Sequence, residues 1–304
     1  MPRPLRVATR GSELARWQAA RVATLLGGDV ELVIVTTTGD ARTDVPIHAL
    51  GGTGIFVKEV QQAVLEDRAD VAVHSAKDLP ASVGPEGIVL AAVPERADPR
   101  DVLVGSTLAA LPAGARIGTG AVRRRAQLAA LRPDLTFAEL RGNIPTRLDR
   151  AAEHDAIVVA AAALERLGRL DLAAEHLEPS VMLPQVGQGA LAVECRTDDA
   201  ETRERLAAID DTRAHATVGA ERAYLAQLGG GCDLPCGALA TLDGNQIVVE
   251  GLLAAADGHV VLRATARDTN PVAAGERAAT ELLDHGGRLL LNDLDDPDGG
   301  RDLP

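Results

Sequence analysis

The order in which short apolar runs alternate with amphipathic stretches constrains the fold of this chain more than any other feature. Residues 5–9 read as a strand and 12–26 as a helix with Ser12 at its N-cap. A second strand at 30–35, a second helix at 57–67 and a third strand at 71–74 follow. This β-α-β succession predicts a parallel sheet with right-handed crossovers. The pattern breaks at Pro94-Glu95-Arg96-Ala97-Asp98-Pro99-Arg100, a charged, Pro-flanked segment that reads as a hinge, and then restarts. Strands near 116–118, 135–140 and 156–160 alternate with helices near 122–131, 143–152 and 161–167. Pro184-Gln185-Val186-Gly187-Gln188-Gly189 is a second connector, leading into a strand at 190–195. A third unit carries a helix at 212–228, strands at 246–254 and 259–266, and a helix at 272–285. The implied organisation is α/β: two domains around a hinged cleft, plus a smaller α+β unit. The first domain is discontinuous (1–94 with 189–208), the second spans 99–185 and the third 212–291, with a flexible tail at 292–304.

Composition narrows the function classes. The net charge of −13 and the mere four aromatics (Trp17, Phe56, Phe137, Tyr224) oppose a nucleic-acid binder, which needs basic surface or stacking platforms. No run approaches ~18 apolar residues, so no membrane span is expected. The N-terminus shows no apolar h-region, and Cys195, Cys232 and Cys236 form no disulfide framework; both features fit a reducing cytosol. The scattered histidines predict no metal site.

Against 29 arginines stand only two lysines, Lys58 and Lys77. A lysine that persists in so arginine-rich a chain marks a place where a compact ammonium is wanted. Lys58 follows the turn Gly51-Gly52-Thr53-Gly54-Ile55-Phe56-Val57, and Lys77 closes the apolar run Val71-Ala72-Val73-His74-Ser75-Ala76. Four arginine-bearing segments fall where strands hand over to loops or helices: Thr9-Arg10-Gly11-Ser12, Thr119-Gly120-Ala121-Val122-Arg123-Arg124-Arg125, Arg141-Gly142-Asn143 and Thr146-Arg147. Any one could be a solvated surface, but together they describe a cleft for a small anion. Asp78, between Lys77 and Leu79-Pro80, is either a turn residue or an acid/base group. In Gly229-Gly230-Gly231-Cys232-Asp233-Leu234-Pro235-Cys236, Cys232 is either a structural cysteine or a thiol that carries a group covalently. Cys195 reads as core. Gly187-Gln188-Gly189 lacks a phosphate-loop pattern and reads as hinge.

The ordered set of these segments, from about Arg6 to Leu291, resembles the porphobilinogen deaminase (hydroxymethylbilane synthase) family. It comprises Ala8-Thr9-Arg10-Gly11-Ser12, Gly54-Ile55-Phe56-Val57-Lys58-Glu59, Val73-His74-Ser75-Ala76-Lys77-Asp78-Leu79-Pro80, Arg123-Arg124, Leu140-Arg141-Gly142-Asn143, Gln185-Val186-Gly187-Gln188-Gly189 and Gly230-Gly231-Cys232. The resemblance implies two periplasmic-binding-protein-like (type II) domains and a third that tethers a dipyrromethane cofactor through a thioether to Cys232. It implies head-to-tail joining of four porphobilinogens with loss of ammonia, an azafulvene-type cation along the way, and Asp78 as the catalytic group. Arg10, Lys58, Lys77, Arg123, Arg124, Arg141 and Arg147 match the carboxylate-binding positions, with Ser12 in support. A cytoplasmic monomer, with no nucleic-acid or membrane partner, is expected. Thr53, Gly120-Ala121 and Cys236 depart from the family pattern, and Arg169 is a substitute for an arginine expected near Leu172. The competing readings are a non-catalytic binding protein on the same fold and a phosphate-ligand enzyme. The first usually carries an export signal and needs no reactive cysteine, and the second predicts a phosphate loop.

Overall fold

The computed structural model describes residues 3–37, 57–81, 84–230 and 234–295. The chain opens with β1 (Leu5–Arg10), α1 (Glu13–Leu26), β2 (Val30–Val35), α2 (Lys58–Leu65), β3 (Val71–Ser75) and β4 (Ile88–Ala92). Ser12 starts α1 as expected: its hydroxyl accepts the Ala15 N–H, satisfying one of the donors a helix start leaves unpaired. Ala15, Gln18, Ala19 and Val22, at helical spacing, form the buried face of α1. The chain then crosses to β5 (Asp101–Val104), β6 (Arg116–Gly118), α3 (Val122–Leu131), β7 (Thr136–Ala138), α4 (Ile144–Asp149), β8 (Ala156–Ala160), α5 (Ala161–Arg166) and β9 (Ala173–Leu177). It returns as β10 (Leu191–Arg196), and continues through α6 (Ala200–Ala207), α7 (Thr212–Gln227), β11 (Cys236–Asp243), β12 (Gln246–Ala254), β13 (Val261–Asp268), α8 (Pro271–Leu282) and α9 (Arg288–Asp295).

Two five-stranded sheets result, ordered β2-β1-β3-β10-β4 and β7-β6-β8-β5-β9, beside an antiparallel β11-β12-β13 sheet. The first two follow one plan. In each, a first strand lies between a second and a third, both parallel to it, and one strand runs antiparallel to its two neighbours. That antiparallel strand, β10 or β5, is the one that arrives from the other domain. The expected fold class is therefore observed: two periplasmic-binding-protein-like (type II) α/β domains and a smaller α+β unit. The expectation of purely parallel sheets needs correction. A strand that enters across a hinge, without a helix packed back on the same sheet, is not bound by β-α-β geometry and can run the other way. At the C-terminus, α9 reaches Asp295, past residue 292 where the tail was expected to begin. No helix among the described residues is long and apolar enough to cross a membrane.

The two crossovers, 93–100 and 178–190, lie side by side. Ala97 N donates to Gly189 O at 3.2 Å, and Arg166 Nη2 donates to the same carbonyl at 2.6 Å while its guanidinium sits 5.8 Å from the Trp17 ring of the first domain. Gly189 has φ +85°, and a Cβ there would stand 2.5 Å from Ala97 O, so only glycine lets the two segments touch. The third unit is hooked on by one carboxylate. Glu221 of α7, fully buried, accepts from Arg96 Nη1 at 2.6 Å, Arg96 Nη2 at 3.1 Å, Gly187 N at 2.7 Å and Ala240 N at 2.9 Å.

The core of that unit forms where α8 crosses α7. Tyr224, with no exposed surface, donates its hydroxyl to Leu252 O at 2.8 Å. A Cβ on Gly275 would lie 2.1 Å from Ala220 O and 2.7 Å from Tyr224 N, so the helices meet backbone to backbone. Gly275→Ala is expected to lower stability by about 1–3 kcal/mol through overpacking, read as a lower denaturant midpoint. An unchanged midpoint would contradict this close approach.

Candidate active site

The charged side chains singled out in the sequence lie at the carboxyl ends of parallel strands, where open α/β sheets bind ligands. Arg10 ends β1, and the Lys77-Asp78 turn follows β3. Arg123 and Arg124 open α3 after β6, while Arg141 and Arg147 follow β7.

The Lys77-Asp78 turn is clamped from the second crossover. Ala76 N donates to Ala190 O at 3.0 Å, Gln185 Nε2 to Lys77 O at 3.4 Å, and Lys77 Nζ to Gln188 Oε1 at 3.5 Å. The segment read as hinge thus also shapes the Lys77-Asp78 turn. Among the described residues, none donates a hydrogen bond to the Asp78 carboxylate.

Three consecutive arginines begin α3, the end at which the helix dipole disfavours cations, and Ala121 provides no capping side chain. Their fates differ. Arg125 is exposed and lies 5.9 Å from the Phe137 ring. Arg123 and Arg124 are buried, and both are gripped by Asp101, the first residue of β5. Arg123 Nη2 meets Asp101 Oδ2 at 2.7 Å, and Arg124 Nη2 and Nε meet Oδ1 at 2.8 and 3.2 Å. Arg123 Nη1 also donates to Leu183 O at 2.6 Å, and Arg124 Nη1 to Val158 O at 2.8 Å. Burial alone would raise the Asp101 pKa, but the charges of Arg123 and Arg124 overcome it and hold the carboxyl far below its usual range.

Cations are crowded here. Burial, then the charge of Arg124, push Lys77 from 10.5 down to about 8, although Asp78 and Asp101 pull the other way. Arg147 is pushed down to about 10 by burial and then by Arg124, against Glu139 and Asp78. Charges from both domains therefore converge: Lys77 and Asp78 from the first, Asp101, Arg123, Arg124 and Arg147 from the second.

Other candidates sit further out. Arg141, half-exposed, pairs with Glu139 at 2.8 Å, and Lys58 is exposed at the start of α2. Ser12 is used as a helix cap. Arg169 is exposed, whereas Arg166, not considered from sequence, is the buried arginine of that region. Cys232 and the glycine turn 51–56, with Thr53, lie outside the described residues.

A pocket joins all three domains. It is lined by Lys77, Leu79 and Pro80, by Ala121, Val122 and Arg123, by Gln185 and Val186, and by Leu225, Leu234 and Cys236. The last two follow Cys232 closely in sequence. Cys236, one of the departures from the family pattern, is buried at the start of β11. Sequence reasoning missed Asp101, Gln185 and Gln188. The one local signal was a carboxylate opening the apolar run Val102-Leu103-Val104.

Comparison with known proteins follows the same lines. A family model described as porphobilinogen deaminase, dipyromethane cofactor binding domain, matches residues 5–204, and one described as porphobilinogen deaminase, C-terminal domain, matches residues 215–284. A porphobilinogen deaminase from a Roseiflexus species is 50% identical over 304 residues, covering 96% of this chain and 99% of the relative. That of Acidithiobacillus ferrooxidans is 46% identical, covering 97% and 99%. That of Syntrophobacter fumaroxidans is 44% identical, covering 96% and 98%. With both family models matched across most of its length and relatives so similar from end to end, the chain belongs to the porphobilinogen deaminase family.

Proposed function

We propose that this chain joins four porphobilinogen molecules head to tail, with release of ammonia, into hydroxymethylbilane, on a dipyrromethane primer bound through a thioether to Cys232. The observation that carries this reading is the excess of cations around Asp78: Lys77, Arg123, Arg124 and Arg147 converge on the cleft, and Lys77, Arg123 and Arg147 are depressed by burial and by the charge of Arg124. Such crowding costs stability unless a ligand brings negative charge. Every pyrrole of the substrate brings an acetate and a propionate.

The residues present fit the primer. Arg123 and Lys77 offer donors to carboxylates, while Leu79, Val122, Val186, Leu225 and Leu234 offer apolar walls to rings. Leu234 is two residues from Cys232 in sequence. When bound, the dipyrromethane supplies the pyrrole at which chain growth begins. The uncapped start of α3 adds backbone N–H groups on the Arg123 side of the pocket.

In each joining the C–N bond of the substrate aminomethyl group breaks, ammonia leaves, and a C–C bond forms as the receiving carbon loses its proton; water then supplies the hydroxyl when the four-unit product is released. Asp78 stabilises the positive charge that develops on the substrate and moves that proton. Arg123, Arg124, Lys77 and Arg147 hold the carboxylates beside it. Arg10, Lys58 and Arg141, with Ser12 in support, belong to the outer part of the same carboxylate-binding surface. The proposal takes the enzyme as a cytoplasmic monomer, and the net charge of −13 opposes a nucleic-acid partner.

The intact mass of the purified protein is expected to exceed that of the sequence by two linked pyrrole units, and Cys232→Ser is expected to lack the adduct. An unmodified, fully active wild type would sink the covalent primer. Asp78→Asn is expected to lower kcat about 100-fold or more, measured as porphobilinogen consumption. Near-normal turnover would remove Asp78 from the mechanism.

Lys77 gives a pH signature. Its folded-state pKa of about 8 lies below the usual 10.5, so it is an ammonium below pH 8 and a neutral amine above it. Between those two values the unfolded chain binds the extra proton, so the cost of burying the charge fades as pH rises. KM for porphobilinogen is expected to climb through pH 8 in wild type and to stay flatter in Lys77→Arg, whose guanidinium keeps its charge. Parallel profiles would exclude Lys77 as a carboxylate ligand.

A further inference from the structure

We infer that Asp101 is a positioning residue for the substrate and primer carboxylates: its two oxygens set Arg123 and Arg124, and through Gln188 it couples that pair to Lys77 across the hinge. This rests on the function proposed above and adds to it a group that touches no ligand.

The geometry divides the work between two oxygens. Oδ2 takes Arg123 Nη2 at 2.7 Å, while Oδ1 takes Arg124 Nη2 at 2.8 Å and Gln188 Nε2 at 2.9 Å. Asp101 and Gln188 have no exposed surface, so neither reaches a ligand in the cleft. Arg123 spends one donor on Asp101 and one on Leu183 O, out of the five N–H groups of a guanidinium, and it lines the pocket. A fork held at two points keeps its remaining donors aimed, which lowers the entropy cost of gripping a carboxylate. Gln188 has no freedom either: its Nε2 also donates to Pro99 O at 2.8 Å, and its main-chain carbonyl accepts from Arg96 Nε at 2.9 Å. Its Oε1 is thereby turned toward Lys77 Nζ.

The charge of Asp101 has a second effect. The groups acting on Lys77 are Asp78 on its own turn, Arg124 of α3, Arg147 of α4 and Asp101 of β5. Asp78 and Asp101 favour the ammonium, while the two arginines oppose it. Asp101 thus sets the direction of two cations and helps keep a third charged.

The test compares full-length wild type, Asp101→Asn and Gln188→Met in steady-state turnover of porphobilinogen over the pH range around 8. Rates are normalised to the fraction of protein that carries the pyrrole adduct by intact mass. Asp101→Asn is expected to raise KM about tenfold while kcat stays within about threefold, and to move the alkaline rise of KM to lower pH than in wild type. Gln188→Met, which keeps the Asp101–arginine pairs but removes the side-chain bonds of Gln188 to Asp101, Pro99 O and Lys77, is expected to move the alkaline rise to lower pH with a smaller change in KM at neutral pH. Wild-type KM and wild-type pH dependence in both variants would overturn the inference, as would kcat falling with KM unchanged. If Asp101→Asn does not fold, Gln188→Met decides alone: an unmoved alkaline rise refutes the coupling. A wild type without adduct fails the underlying function instead, whereas an adduct-bearing wild type with indifferent variants fails only the role of Asp101.

Discussion

The rest of the structure depends on one buried carboxylate, Glu221. A carboxylate offers about four acceptor positions, and Glu221 fills four, with two N–H groups of Arg96 and the backbone N–H groups of Gly187 and Ala240. These donors come from the first crossover, the second crossover and the third unit. A charge with no exposed surface is tolerable only while paired, and removing one partner of such a pair costs about 3–5 kcal/mol. The two crossovers and α7 are therefore bound to one point. Whatever the two α/β domains do about their hinge, the unit that bears Cys232 stays registered to the crossovers that carry Gln185 and Gln188, and through them to the Lys77-Asp78 turn.

A second carboxylate, Asp101, does for the cleft what Glu221 does for the domain junction. The start of α3 breaks local rules: three arginines stand at the positive end of a helix dipole, with alanine where a capping serine or threonine would help. Two of those arginines are buried. Taken alone, this would be a poor helix start. Asp101 supplies the counter-charge from a strand 22 residues away, and the remaining mismatch is what a site for anions consists of. The same pattern recurs in the first domain without any cleft, where Glu194 of β10 accepts from Gln61 at 2.9 Å and lies 3.2 Å from His74 Nε2. Burial raises the pKa of Glu194, but the nearby His74 and the hydrogen bond from Gln61 more than offset this. That network fixes the crossing strand β10 against β3, directly beneath the turn that bears Asp78.

How far the sequence is legible follows from the range of the interactions. Helices with local start signals, such as α1 behind Ser12 and α4 behind Asn143, are found close to where expected, because caps and 3.6-residue spacing are local properties. The short strands β4, β5 and β9 were not anticipated, nor was β11. The first three have only four or five residues, too few to show a period, and the partner of β4, β10, lies beyond both crossovers. The antiparallel entry of β5 and β10 was invisible for the same reason. At the site, the side chains that follow strands were legible: Lys77, Asp78, Arg123, Arg124 and Arg147 do meet. Asp101 and Gln188 were not, because their contacts span 22 and 87 residues and no local rule marks a partner at such distance. Lys58 and Arg141 were read from the same kind of signal, but Lys58 is exposed and Arg141 is half-exposed and paired with Glu139.

That inner and outer arrangement matters for a substrate that grows. The inner cluster sets four cations, Lys77, Arg123, Arg124 and Arg147, against two carboxylates, Asp78 and Asp101. Its surplus balances the two acid groups of one pyrrole, not those of a lengthening chain. On the function proposed here, each added unit brings two more negative charges, so successive units cannot all be neutralised by the same inner side chains. Units displaced from the cluster must meet cations that bind weakly and release readily. Exposed, solvent-screened groups such as Lys58 and Arg141 have that property, since a surface ion pair contributes only about 0–1 kcal/mol. Strong, buried contacts beside Asp78 and weak ones at the rim let the reacting ends stay fixed while the finished part of the chain moves on.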